Sequence, residues 1–307
     1  MSGPDLIAGL VLAGSLFAPK LAPKSEWAGE VYLIRQSQTE YGRREADGSF
    51  TPSGEYLASI QYTVLAEDKD LAQVQNHGAK VWVRKADLVK LSEAPEYFTK
   101  MLDMQPESTI WFAFRAWAQF RNGRTAEALK DYGEAIRLNP DSPSWYGNRG
   151  LIYLETKKYD DAIADFNTSL ELRETDTAYR NRAQAYVKKK EYVKAARDFR
   201  DAANLNPQSA INLNALAWHL CTAPDSNARD GRRAVEIALK ACELTEYKNG
   251  GYVDTLAAAY AEAGDFAKAV EWQEKALKAG DIPIKDMAAA KKRLELFKAK
   301  KAYRDEE

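Results

Sequence analysis

Side chains that commonly perform acid–base or nucleophilic chemistry are few in this 307-residue sequence. It contains two histidines, His77 and His219, and two cysteines, Cys221 and Cys242. His77 lies in an Asn-His-Gly stretch typical of a hairpin turn, and His219 lies in a helical pattern, so we interpret both as structural. The sequence contains no zinc-protease, nucleophile-elbow, dinucleotide-binding or phosphate-loop motif. We therefore predict a protein that is not an enzyme and that needs no cofactor or metal.

The cysteines and the overall charge narrow the class of partner. Cys221 and Cys242 lack the spacing of metal ligands and are too few for a disulfide framework. We interpret them as small buried side chains, with a disulfide as the alternative if the chain is exported. A net charge of −1 argues against nucleic acid as the main partner. No small-molecule substrate is evident, which leaves a protein or peptide as the expected partner.

The N-terminal segment has two interpretations. Leu6 to Ala18 is an apolar run of thirteen residues, which is short for a membrane span but suits a secretory signal. Asp5 precedes the run, and no Lys or Arg does. We predict export to the periplasm or cell envelope, with residues 1–25 as a signal peptide or flexible terminus. The alternative is a cytoplasmic protein whose apolar N-terminal helix packs on the body. A membrane partner is expected only if this segment is retained.

The elements that position side chains in the remainder of the chain repeat themselves with a period near 34 residues. One small residue marks each second helix, at gaps of 34, 34, 33, 39 and 35: Ala94, Ala128, Ala162, Ala195, Ala234 and Ala269. In the first four units an aromatic residue follows four positions later, on the same helical face. A second series of small residues marks each first helix: Ala116, Gly150, Ala183, Ala217 and Ala257. Such residues allow two helices to approach closely.

This pattern resembles the tetratricopeptide repeat (TPR) from roughly Glu93 to Leu277. The resemblance implies a TPR superhelix over residues 93–281, formed by a half repeat and five helix pairs. The fourth pair carries about five extra residues between its helices. Residues 282–307 are predicted to form one amphipathic C-terminal capping helix.

Residues 26–92 have a different pattern, in which β-branched and aromatic residues alternate. Glu30–Arg35 and Ile60–Leu65 are predicted as strands, and two further alternating runs flank a turn at Asn76–Gly78. The second run and its closing turn, Lys80 to Leu91, resemble the end of a bacterial SH3-like domain. That resemblance implies a small all-β barrel, which we expect to pack directly on the first helix of the repeats. Arg35–Tyr56 is predicted as loop with one short strand.

The TPR resemblance also predicts a binding site, because certain first-helix positions face the concave groove in that family. In this sequence those positions hold Asn148, Leu151, Arg180, Asn181, Gln184, Lys188, Asn214 and Trp218. Asparagine amides can donate to and accept from a peptide backbone, and Arg180 or Lys188 can hold a carboxylate. We expect Asn148, Arg180 and Asn181 to be surface residues whose replacement barely changes stability. The alternative is a solvated face without a ligand.

The first helix of the first predicted helix pair carries three aromatic residues, Phe114, Trp117 and Phe120. They are interpreted either as an apolar contact surface for a partner or as packing against the barrel. Two function classes follow from the whole pattern. The first is a non-catalytic interaction scaffold or adaptor whose groove binds a peptide or protein segment. The alternative is an accessory subunit of a bacterial cell-envelope enzyme or secretion assembly.

Overall fold

The computed structural model describes residues 30–35, 39–56, 61–76, 79–279, 282 and 284–305. The apolar segment Leu6–Ala18 and His77 lie outside these described residues, so the predictions made for them stay predictions. The chain divides into two compact units, residues 1–156 and 157–307, and each is treated separately below. Within the described ranges, no helix combines the length and the apolar character needed to cross a bilayer.

From residue 30 onward, the described part of the first unit contains a β region of two antiparallel sheets. Its described strands are β1 (Val31–Ile34), β2 (Glu40–Arg44), β3 (Phe50–Tyr56), β4 (Gln61–Thr63), β5 (Ala66–Asp68), β6 (Leu71–Asn76), β7 (Ala79–Arg84) and β8 (Leu88–Lys90). One sheet has the order β4-β1-β8 and the other has the order β3-β2-β7-β6-β5. The β6–β7 hairpin pairs Val74 with Val81. Alternate residues of these strands, including Leu33, Leu71 and Val83, are almost fully buried and form its core.

The sequence located some of these strands and missed others. The strands predicted near Glu30–Arg35 and Ile60–Leu65 and the hairpin around residues 76–79 are confirmed. The prediction of loop with one short strand over Arg35–Tyr56 is wrong, because β2 and β3 pair there as a hairpin. These strands hold few apolar side chains and owe their position to backbone pairing, which leaves no alternation to detect. The specific likeness to an SH3-like barrel stays a prediction.

Four helices complete the first unit: α1 (Ala94–Met104), α2 (Thr109–Arg121), α3 (Thr125–Leu138) and α4 (Pro143–Glu155). Two side-chain contacts link the described β region to the helices. The Arg35 guanidinium lies 5.1 Å from the centre of the Tyr97 ring. The Asn122 side chain donates a 2.8 Å hydrogen bond to the carbonyl oxygen of Leu91. These contacts support the expectation that the β region packs against the start of the repeats.

The second unit is helical. Its described helices are α5 (Tyr159–Leu172), α6 (Asp176–Lys188), α7 (Tyr192–Leu205), α8 (Ala210–Thr222), α9 (Gly231–Leu244), α10 (Gly250–Glu262), α11 (Phe266–Ala279) and α12 (Ile284–Lys298). The small residues that define the predicted register, such as Ala183, Ala217 and Ala257, have no solvent exposure. The side chains of Thr175, Ser209 and Asn249 cap α6, α8 and α10 by accepting from backbone amides. Helices α6 and α7, α8 and α9, and α10 and α11 pack as pairs, and the buried small residues agree with the predicted contact positions.

The extra residues of the fourth pair form a short connection that ends at a close helix contact. A single 3₁₀ turn spans Ser226–Ala228, and Asp230 then caps α9. A Cβ atom on Gly231 would lie 2.7 Å from the backbone nitrogen of Ala263, so only glycine allows α9 to begin against the end of α10. The Arg229 guanidinium joins the same contact through a 2.9 Å ion pair with Glu262.

The C-terminal helix is shorter than predicted. We expected one helix over residues 282–307, but α12 ends at Lys298. Lys300 has a φ of +55°, which breaks the helical path, and residues 301–305 have no regular secondary structure. These residues instead contact α8 and α10, so tertiary contacts override the helical propensity of the Lys-rich sequence.

Candidate functional site

The predicted site residues differ widely in exposure. Three of the eight predicted groove residues are accessible to a partner without rearrangement, because Gln184 and Lys188 are exposed and Asn214 is half-buried. Asn148, Arg180 and Asn181 expose 4%, 7% and 8% of their surface. The expectation that these three are surface residues is therefore wrong. Leu151 is also buried, whereas Trp218 is half-buried beneath the C-terminal residues.

The aromatic group of α2 divides into two parts. Phe114 is 1% exposed and packs edge to face on Phe98 of α1 and on Trp111, at ring distances of 5.4 and 5.8 Å. It is therefore a core residue between α1 and α2. Trp117 packs at 6.1 Å from the half-buried Phe120. Its buried indole N–H has no hydrogen-bond partner among the described residues.

Helix α4 carries a group of buried polar atoms without partners. Among the described residues, nothing pairs with the Ser144 hydroxyl, the Trp145 indole N–H or the Asn148 side-chain N–H₂. A buried polar group without a hydrogen bond typically costs about 1–3 kcal/mol. These atoms are available to a ligand that reaches them, which is consistent with the predicted binding role of Asn148.

Arg180 is the most unusual charged residue of the predicted site. Its Nη1 atom donates a 2.6 Å hydrogen bond to the amide oxygen of Asn212 on α8. The Asn212 amide nitrogen in turn donates to Asp176 at 2.7 Å. Within the described part of the chain, no carboxylate forms an ion pair with Arg180. Burial lowers the pKa of the Arg180 guanidinium, and the charges of Asp176 and Tyr252 oppose this only in part.

Arg182 on α6 and Arg115 on α2 each pair with a carboxylate, in contrast to Arg180. Arg182 makes two hydrogen bonds of 2.7 and 2.8 Å to Asp198, and Arg115 makes two of 2.7 Å to Asp131. The hydrogen bond to Asp198 raises the pKa of Arg182. Sequence reasoning missed these pairs, although each pair is separated by 16 residues and that shared spacing was a usable signal. They link the two helices of one repeat and are structural.

Tyr303 and Asp305 lie on Trp218, which is part of the predicted site. Asp305 accepts hydrogen bonds from the Trp218 indole N–H at 3.1 Å and from the Thr222 hydroxyl at 2.7 Å. Its backbone N–H donates to the carbonyl oxygen of Thr222 at 2.9 Å. The rings of Tyr303 and Trp218 lie 5.9 Å apart. Sequence reasoning could not find this arrangement, because residues 301–305 were interpreted as helix.

The described residues that were considered for catalysis, His219, Cys221 and Cys242, are all buried. His219 is 4% exposed, and its Nε2 lies 2.8 Å from the carbonyl oxygen of Tyr192. Burial lowers the pKa of this imidazole. Cys221 and Cys242 are free and buried, and burial raises the pKa of Cys242 to about 12. These buried positions agree with the structural interpretation of His219 and of both thiols, and the two thiols are free in this structure.

Comparison with protein-family models finds tetratricopeptide repeats at residues 114–177, 177–209 and 253–279. No curated protein matches the sequence. Three solved structures are similar in fold, with identities too low to transfer a function. The structure described as "YrrB: a TPR protein with an unusual peptide-binding site" is 20% identical, with 65% of this chain and 100% of that chain covered and a TM-score of 0.51.

The other two matches are similar in extent. Yeast Tom70 is 19% identical, with 70% of this chain and 45% of that chain covered and a TM-score of 0.52. A tetratricopeptide repeat protein from Parabacteroides merdae ATCC 43184 is 20% identical, with coverages of 70% and 82% and a TM-score of 0.53. These likenesses support the fold. Together with the buried register of small residues, the three family matches show that residues 114–209 and 253–279 are tetratricopeptide repeats.

Proposed function

We propose that this chain is a non-catalytic interaction scaffold and that the first-helix face around α6 binds an acidic segment of a partner protein. Tetratricopeptide repeats form extended surfaces that bind proteins and peptides. The observation that carries the finer proposal is Arg180, a buried guanidinium that makes one hydrogen bond to a neutral amide and no ion pair with a described carboxylate.

Electrostatics explains why such an arginine points to a ligand. Removing a charge from water is costly unless a counter-ion and hydrogen bonds replace the lost solvation. A guanidinium has five N–H donors arranged to fit a carboxylate. A carboxylate from a partner, either an acidic side chain or a chain terminus, supplies both the charge and the acceptors that Arg180 lacks.

The surroundings of Arg180 on α6 suit an extended segment. Gln184 and Lys188 follow it at intervals of four residues, so the three side chains lie along one face of the helix. Gln184 and Lys188 are exposed, and Asn214 of α8 has a buried side-chain oxygen with no hydrogen-bond partner among the described residues. An amide and a cation can then bind the backbone and a second acidic group of the same segment.

A pull-down from the native organism with Arg180→Met tests this proposal. Methionine keeps much of the buried volume but removes the charge and its donors. Loss of a charged hydrogen bond costs about 1.5–3 kcal/mol, so we expect partner recovery to fall at least tenfold. Arg197→Met is the matched control, because it removes an exposed arginine of α7 in the same unit. Equal recovery with Arg180→Met and wild type would show that the partner binds elsewhere.

The same experiment separates the scaffold from the alternative function. An accessory subunit of a cell-envelope enzyme predicts one dominant enzymatic partner, whereas an adaptor predicts several partners or a non-enzymatic one. Export is a separate proposal and has a direct readout. Mass spectrometry of the native protein should find a mature N-terminus between about Ser15 and Lys24. Peptides that begin at Met1 or Ser2 in the mature protein would contradict export.

A further inference from the structure

In the second unit, residues 303–305 contact the ends of α8 and α10 and the middle of α12. We define the tail as Ala302–Asp305 and the tail site as Trp218, Thr222, Glu262 and Arg293. Trp218 and Thr222 lie on α8, Glu262 ends α10, and Arg293 lies on α12. The tail has no regular secondary structure, and three of its residues contact these helices through their side chains.

The tail site recognises an acidic side chain. The Asp305 carboxylate lies 2.7 Å from the Thr222 hydroxyl and 3.1 Å from the Trp218 indole nitrogen. Both donors are held in place, because Thr222 has no exposed surface and Trp218 packs beside Arg293 at 5.2 Å. The backbone hydrogen bond from Asp305 to Thr222 fixes the direction of the segment. Such paired donors discriminate a carboxylate from an apolar side chain.

The tail site also recognises an aromatic and a basic side chain. Tyr303 packs on Trp218 and lies 5.3 Å from the Arg293 guanidinium, which gives an aromatic–cation contact. Arg304 forms an ion pair with Glu262 at 2.5 Å. Arg293 itself is neutralised by Asp254, so it serves as a fixed platform for the ring. The three tail residues therefore contact three different chemical features of the site.

We infer that the tail site is a binding site for partner segments of the pattern aromatic–basic–acidic in an extended conformation, and that the tail is its internal competitor. This inference deepens the proposed function, on which it rests, by naming a second ligand class. The site is separate from Arg180. Arg180 contacts Asn212 near the start of α8, and Thr222 lies at the end of that helix, roughly 15 Å further along its axis.

Tethering explains why the tail fills the site in the isolated chain. The tail begins a few residues after α12 ends, so its effective concentration at the site is about millimolar or higher. A partner segment must exceed this competition, either through its own affinity or through simultaneous contact at Arg180. The tail thereby keeps an aromatic and polar surface covered until a segment with matching chemistry arrives.

Binding of a labelled synthetic peptide tests the inference. The probe carries residues 299–307 and is added to the full chain or to a full-length Tyr303→Ser, Asp305→Ala variant, whose tail is weakened. We expect the variant to bind the probe at least tenfold more tightly than wild type, because its own tail no longer competes. Adding Thr222→Val should then weaken binding about tenfold. A probe with Asp305→Asn should weaken similarly, whereas a probe with Lys301→Gln should not.

The controls separate this inference from the proposed function. Arg180→Met in the weakened-tail background should leave probe affinity within about twofold, while it lowers partner recovery in the pull-down at least tenfold. Failure of the probe experiment alone would leave the Arg180 proposal standing. If the weakened-tail variant keeps its circular dichroism and melting temperature but binds no probe, the tail is only intramolecular packing and the inference is overturned. If the double variant unfolds, Asp305→Asn alone replaces it under the same criteria.

Discussion

Two arginines of the second unit are equally buried and are compensated in opposite ways. Arg180 on α6 and Arg293 on α12 each expose 7% of their surface. Arg293 makes two hydrogen bonds to Asp254, at 3.0 and 2.7 Å, and packs on Trp218. Arg180 has one bond, to the amide of Asn212. The comparison teaches that equal burial does not imply equal pairing, and the missing ion pair of Arg180 is what supports our proposal that a partner carboxylate binds there.

Replacing Arg293 should have the largest effect. Arg293→Met leaves the Asp254 carboxylate buried beside Gln273 without its cation. Breaking a buried pair on one side costs about 3–5 kcal/mol, so thermal unfolding should shift to a clearly lower temperature. Differential scanning calorimetry measures the shift. A combined Arg293→Met, Asp254→Leu variant should recover part of the loss, and an unchanged melting temperature for Arg293→Met alone would remove the contrast with Arg180.

Arg182 provides a second paired arginine on the same helix as Arg180. Arg182→Met leaves Asp198, which is 4% exposed, without its bidentate partner. The Arg182 side chain is 19% exposed, so solvent reduces the cost to about 2–3 kcal/mol of unfolding free energy. Urea denaturation gives this value. A loss equal to that of Arg180→Met would show that pairing does not distinguish the two residues.

His219 should make the stability of the protein depend on pH. It lies on α8, the helix that contacts both arginines through Asn212 and Trp218. Burial lowers the pKa of His219 in the folded state below its usual value near 6.5. The unfolded chain therefore binds the proton more readily, and the stability contributed by neutral His219 is present above pH 6.5 and lost as the pH falls below it. The slope reaches at most about 1.4 kcal/mol per pH unit. Wild type minus His219→Gln between pH 7.5 and 5.5 isolates this contribution, and parallel curves would contradict it.

Arg180→Met should have the smallest effect on stability. The substitution removes a buried charge that has no ion-pair partner, and only the bond to Asn212 is lost. We expect the unfolding free energy to stay within about 1 kcal/mol of wild type or to rise. Urea denaturation alongside Arg182→Met makes the comparison within one helix. A loss above about 3 kcal/mol would identify Arg180 as a structural residue and remove the main support for the proposed function.

The sequence predicted the repeats well because their signal is local and redundant. Ala183, Ala217 and Ala257 mark helix contacts at fixed intervals, and each is fully buried as the register requires. The β2–β3 hairpin escaped prediction because strands with few apolar residues are held by backbone pairing, which has no side-chain signature. The same limit applies to the tail, whose Lys-rich sequence is compatible with a helix that tertiary contacts replace.

The candidate site residues stay a prediction, and the structure adds the environment that the sequence could not supply. Family positions drew attention to Arg180 and Trp218, yet they carry no information about burial or pairing. Arg180 and Arg182 are two residues apart and of one type, but only Arg182 meets a carboxylate, which comes from α7. Trp218 was expected to face a partner and instead contacts Asp305, a residue 87 positions later. Such pairings depend on three-dimensional packing that spacing alone does not define.

The ion pairs Arg115–Asp131 and Arg182–Asp198 have a consequence for how such arrays grow. Each pair joins the two helices of one unit, so a gene duplication that copies a unit copies both charges together. Neither charge of the pair is then left without its partner in the new unit. The Arg293–Asp254 pair instead joins α10 to α12, which lies outside the helix pair α10–α11. Copying that helix pair alone does not copy both charges. Duplication of a unit can therefore multiply pairs of the first kind but not the Arg293–Asp254 pair.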